Sequence, residues 1–134
     1  MKTRTLHIRQ WTILFLFSFN VQNSEDIEDA LIWADAPNSI IAQVQKNVFA
    51  GRLDEGFTFS NPLLRRSVSA IGETSSGPEF LNTAVHEITH VAQHMAQEDD
   101  IDPLSEEMAY LIGDITSEIS DIVCKLSCPH CRHD

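Results

Sequence analysis

The chain has 134 residues and a net charge of −11. The length suits one domain, and a hydrophobic content of 43% is enough for one core, which argues against wholesale disorder. So acidic a balance argues against a nucleic-acid surface, which needs clustered Lys and Arg, and against anionic membranes.

The chain starts with Lys2, Arg4 and Arg9, followed by the apolar run Trp11-Thr12-Ile13-Leu14-Phe15-Leu16-Phe17-Ser18-Phe19. A basic start and a short apolar stretch also describe a secretory signal, here residues 1–23. The run is aromatic and β-branched, however, and Asn20-Val21-Gln22-Asn23 offers no pair of small residues for cleavage. It is too short to cross a bilayer as a helix. The reading favoured is a buried strand over 11–19 in a cytoplasmic protein, with secretion as the alternative.

Ser24 reads as a helix cap with Glu25 and Asp26 in the first turn, and Ile27, Ala30, Leu31 and Ala34 follow at helical spacing. Pro37 opens a second helical stretch with Ile40, Ile41, Val44 and Val48 on one face, and Gly51 stops it. Phe57–Phe59 and Arg66–Ile71 read as short strands separated at Asn61-Pro62. Ser76 caps a helix entered through Pro78 and running to about Gln97. After the acidic connection Glu98–Pro103, one last helix is predicted over about 104–123, with Leu111, Ile112, Ile115, Ile119 and Ile122 as its apolar stripe. The elements describe a small α+β domain over 1–123, a short sheet packed on helices, followed by a Cys/His-rich tail over 124–134.

The sharpest motif lies in the long helix. His86-Glu87-Ile88-Thr89-His90 is an HExxH pattern. Histidines four apart project from one helical face, one turn above the other, and can grip a single zinc ion. Glu87 flanks that pair, where a general base for a metal-bound water belongs. The segment Leu81–Ala92 carries no Asp, Lys, Arg or second Glu, as expected of a helix that buries its back while presenting two ligands.

A catalytic zinc site needs a third protein ligand. His94 lies a full turn too far along the same straight helix, so it reads as a helix-surface residue or one behind the ligands. Glu106 is favoured over Glu107. The helix overshoots His90 by about 10 Å, the Glu98–Pro103 connection returns most of that distance, and Glu106 opens the next helix. Small Ala109 one turn on would let the two helices approach closely, while Glu107 points about 100° away. The bland alternative is that both acids only favour a helix N-terminus electrostatically.

His86-Glu87-Ile88-Thr89-His90 followed by Glu106-x-x-Ala109-Tyr110 resembles the gluzincin class of zinc metallopeptidases, in particular its smallest single-domain members of the phage and bacterial type. The resemblance covers about residues 77–123. It implies a zincin-like fold, zinc bound by His86, His90 and Glu106, and hydrolysis of peptide bonds with Glu87 as base. It also implies a strand edge beside the motif helix that binds extended substrate, for which Arg66–Ile71 is the candidate. Several gluzincins carry an Asp four residues after the ligand glutamate that orients a histidine. Here that position is Tyr110, so either Asp114 takes the role or the surroundings of the ligands differ. Tyr110 is a candidate to stabilise the oxyanion, with packing as its plainer role.

The three cysteines fall within 124–131, too few and too crowded for a disulfide framework. Cys124, Cys128, Cys131 and His133 match a Cys3His set for a second, structural zinc, and a reduced tail without metal is the alternative. The function expected is a zinc-dependent metallopeptidase acting on a peptide or protein substrate, with no nucleic-acid or membrane partner. The alternative is a zincin-like protein that binds metal and a partner without catalysis.

Overall fold

A computed structural model describes residues 1–52 and 56–131. They form an α+β domain in which one four-stranded sheet carries helices on both faces. Strand β1 (Lys2–Ile8) and strand β2 (Trp11–Phe19) make an antiparallel hairpin. Its two-residue turn, Arg9-Gln10, has φ of 51° and 69°. Positive φ at both positions matches the turn twist to the strand twist, without the usual glycine.

From β2 the chain passes through a short 3-10 turn (Val21–Asn23), helix α1 (Ser24–Trp33) and helix α2 (Asn38–Phe49). Asn20, rather than Ser24, supplies the side-chain cap here, accepting from the Gln22 N–H at 2.9 Å. Strands β3 (Gly56–Asn61) and β4 (Arg66–Gly72) follow as an antiparallel pair. Asn61 Oδ1 turns the corner between them by accepting from the N–H groups of Leu63 and Leu64. β4 slots parallel to β2, giving the order β1-β2-β4-β3.

The run over 11–19 is thus an interior strand, and its continuous apolarity reflects burial on both faces. Trp11, Ile13, Phe15 and Phe17 face one core, and Leu16 and Phe19 face the other. Phe17 and Phe19 would share a face in a regular strand. A bulge at Ser18 (φ 63°) shifts the register between them and turns Phe19 over.

On the Leu16 face, α1 and α2 cover the sheet with Ile27, Leu31, Val44 and Val48. On the Phe15 face lie helix α3 (Gly77–Asp99), helix α4 (Glu106–Glu118) and helix α5 (Ser120–Ser127). The single helix predicted over 104–123 is therefore two. Its stripe is buried as expected at Leu111, Ile115, Ile119 and Ile122, but Ile119 leaves helical geometry (φ −115°, ψ 13°). Thr116 and Ser120 hydroxyls on either side bond back to the carbonyls of Ile112 and Ser117 and compete with the regular ladder.

The three helices divide the sheet between them. Arg4 of β1 holds Asp121 of α5 through two bonds of 3.1 and 2.9 Å, and Arg9 in the hairpin turn holds Glu107 of α4 at 2.8 Å. These pairs seat α4 and α5 toward β1. Helix α3 lies over β4 and the edge strand β3, bonded to Thr58 and Ser60. No helix among the described residues is long and apolar enough to cross a membrane.

Candidate functional site: the imidazole pair of helix α3

Helix α3 begins as the sequence reading expects. Ser76 Oγ accepts from the Glu79 N–H at 3.2 Å, Pro78 occupies the first turn, and the Glu79 carboxylate accepts from the Ser75 hydroxyl at 2.6 Å. At the other end Asp100 adopts a left-handed cap (φ 55°). Between the caps Phe80, Ala84, Ile88, Val91, Ala92, Met95 and Ala96 are buried in the core shared with α4 and α5.

The helical turn of about 100° per residue sets the rest. Glu87 falls at the border of the buried arc nearest β3, and His94 lies two turns on along nearly the same line. His90 and His86 lie further round, on the side away from Ile88. His86 is exposed and His90 partly so. Their rings meet edge to face with centroids 4.6 Å apart and Nε2 atoms 3.0 Å apart. That separation suits an N–H···N hydrogen bond between neutral imidazoles. It is also within a few tenths of an ångström of the roughly 3.3 Å that separates two nitrogens on one tetrahedral zinc. The pair is set for a shared ligand, whether proton or cation.

Glu87 is 3% exposed. Its Oε1 accepts from the Thr58 hydroxyl at 2.8 Å, and Thr58 Oγ1 lies 3.0 Å from Ser69 Oγ across the β3–β4 ladder. Room for the carboxylate comes from Gly56. A Cβ there would stand 2.7 Å from Glu87 Cγ, Glu87 Oε2 and the Ala70 carbonyl oxygen. The next pair on the same face of the ladder, nearer the β3–β4 turn, repeats the device. Ser60 and Ser67 hydroxyls are 2.8 Å apart, and Ser60 Oγ lies 2.7 Å from His94 Nδ1. Two hydroxyl rungs of the sheet therefore receive two polar side chains of α3. Burial, and secondarily the charge of nearby His90, hold the His94 pKa below the ordinary histidine value. Sequence reading missed Thr58, Ser60 and Gly56. Serine and threonine at alternate positions of both strands were the available signal.

Among the described residues Glu106 is not grouped with the two imidazoles. It opens α4 as predicted, under a Ser105 cap, but α4 begins on the β1 side of α3, where its neighbour Glu107 is bound to Arg9. The imidazoles lie further round α3, on the solvent side of the Glu87–His94 line that meets β3. Ala109 is exposed and makes no close helix approach; Met108, Leu111 and Ile115 fill that role. Tyr110 is 66% exposed on the same outward face of α4, and Asp114 is exposed as well. The strand proposed to bind substrate needs correction too. Arg66–Gly72 is flanked by β2 and β3, and the free edge beside α3 belongs to β3.

In the tail, Cys124 is exposed on α5 and Cys128 caps its C-terminus. A turn closed by the Cys131 N–H on the Cys128 carbonyl follows. His133 lies outside the described residues. Among the described residues no group of three or more His, Cys, Asp or Glu is arranged to hold a metal ion, in the tail or around His86 and His90. Compared with known proteins, the chain matches no family model, no curated protein and no solved structure.

Proposed function

We propose that this protein is a zinc-dependent hydrolase of peptide bonds, a zincin-like arrangement in which the HExxH helix lies along a free-edge strand. The observation that carries the reading is the 3.0 Å approach of His86 Nε2 and His90 Nε2 beside the buried carboxylate of Glu87. The donor chemistry fits a divalent cation: two neutral imidazoles on one helical face are a recurrent zinc-binding pair. The three-ligand set fits less well, since Glu106 stands across α3, and the metal would rest on His86 and His90. When bound, zinc supplies a water of lowered pKa and polarises a carbonyl.

The chain's own residues supply the rest. Glu87 accepts a proton at Oε1 or Oε2, and the Thr58 hydroxyl fixes the direction of the carboxylate. β3 offers unpaired backbone groups along its outer edge to an extended peptide. A cytoplasmic setting accords with three cysteines crowded into 124–131.

A second reading, metal binding and partner recognition without turnover, is favoured by the exposure of Tyr110 and by the use of Glu87 in seating α3 on the sheet. One experiment separates the two: zinc stoichiometry by native mass spectrometry beside cleavage of a peptide library. The peptidase reading expects one zinc per chain, cleavage by the wild type, and loss of cleavage with zinc retained in Glu87→Gln. Zinc without cleavage in the wild type selects the second reading, and no zinc removes both.

A further inference from the structure

One turn beyond His90, helix α3 and the end of β3 part to form a cleft of about 340 Å³, lined by Trp11, Ser60, Pro62, His94, Gln97 and Glu98. It adjoins the imidazole pair, since the His90 and His94 rings are 6.3 Å apart between centroids. Its volume sits at the low end for ligand sites, enough for one side chain and too small for most cofactors.

The lining divides into an apolar part and one exposed carboxylate in no direct ion pair, that of Glu98. Pro62 has no N–H to offer. Trp11 is buried; its indole N–H is spent on Asp99 Oδ2 at 3.2 Å, and the Arg65 guanidinium lies 5.6 Å from its ring centroid. Arg65 is itself matched, holding both oxygens of Asp99 at 2.7 and 3.2 Å. The Nδ1 of His94 is engaged by Ser60. Glu98 is left. It is exposed and in no direct ion pair among the described residues; its charge acts at longer range on the Arg65 guanidinium, which is bonded to Asp99. A guest that satisfies this lining has an alkyl stem and a cationic head. The stem lies against Pro62, and the head reaches the Glu98 carboxylate with the Gln97 amide beside it.

We propose that the cleft receives the Lys or Arg side chain of a peptide residue close to the bond presented to His86 and His90. The inference rests on the peptidase reading for what the peptide is doing there, but not for its binding. An acidic side chain would meet Glu98 with like charge. An apolar one would give it no direct ion pair.

The test uses the full-length protein and three probes: Nα-acetyl-lysine methylamide, its norleucine isostere and butylamine. Binding is read from the NMR shifts of the His94, Gln97 and Glu98 amides. The lysine probe should bind about five-fold more tightly than norleucine, the upper range for an ion pair with an exposed partner. Glu98→Gln, an exposed and conservative change, should erase that preference. Equal binding of the two, or shifts that map elsewhere, overturns the proposal. Butylamine binding as tightly as the lysine probe overturns it as well, because the site would then be one for free amines. Lysine preference without cleavage of any lysine-containing peptide upholds the cleft and removes the peptidase reading alone.

Discussion

Thr58 of the edge strand and Glu87 of the motif helix are bound to one another, hydroxyl to carboxylate, at 2.8 Å. The acid of the HExxH pattern is therefore a structural contact between helix and sheet as well as the candidate base. Thr58→Val removes the donor and leaves the carboxylate in an interface where it is 3% exposed. A loss of about 1–3 kcal/mol is expected in urea denaturation. Glu87→Gln retains a group able to bond Thr58 and should cost less, yet lower any cleavage rate by about 10²–10⁴. Equal destabilisation by the two would show that the hydroxyl bond contributes little.

Glu106→Ala should leave zinc affinity unchanged, because among the described residues no third ligand is grouped with the two imidazoles and α4 starts beside the hairpin turn that holds Glu107. His90→Ala should abolish binding at this site. Zinc titration of both variants by calorimetry checks the pair, and a large loss in Glu106→Ala would restore the ligand set expected from the sequence.

Gly56→Ala puts a methyl group 2.7 Å from both the Glu87 side chain and the Ala70 carbonyl. The backbone oxygen cannot yield as a side chain can, so β3 must shift. The expected cost is about 1–3 kcal/mol, visible as a lowered melting temperature. A melting temperature equal to that of the wild type would mean that the start of β3 relaxes freely.

The Arg65–Asp99 pair gives a pH dependence. The guanidinium, and to a lesser degree the Trp11 N–H, hold the Asp99 carboxyl below its ordinary value of 3.8. A depressed folded pKa means stability that is fully present above 3.8 and lost as the pH falls below it through the folded value. Asp99→Asn should therefore lower stability at pH 7 and flatten the acid limb of the stability curve below about pH 4. Parallel curves for variant and wild type would refute the assignment.

Cys128→Ser tests the tail. Cys124 and Cys131 are exposed and Cys128 half-buried, and none belongs to the cores. The substitution should change stability by no more than about 0.5 kcal/mol. Unfolding on substitution, or on addition of a chelator to the His86→Ala variant, would instead show that the tail organises the fold around a structural zinc.

The elements that announced themselves in the sequence are those with one dominant physical signal. The run over 11–19 was favoured as a buried strand over a secretory signal, and Ser76 with Pro78 set the start of α3. β1 was hidden because Lys2 and Arg4 read as a basic leader, whereas on an edge strand they are the expected protection. The break at Ile119 was hidden because its side chain keeps the apolar stripe in phase across the break. The side of α3 on which Glu106 falls was hidden for a different reason. Rise and loop length fix how far back along α3 the chain returns, but not on which side of it. That choice is made by Arg9 holding Glu107 and Arg4 holding Asp121, contacts of about a hundred residues' separation that no local pattern encodes.

The two hydroxyl rungs under α3 have a mechanical consequence. Glu87 and His94 are two helical turns apart, and their partners Thr58 and Ser60 are two strand positions apart. Sliding or rolling the helix along the rim would strand a carboxylate and an imidazole together. The histidines beside them are thus held at a set height above the sheet's border by protein contacts alone.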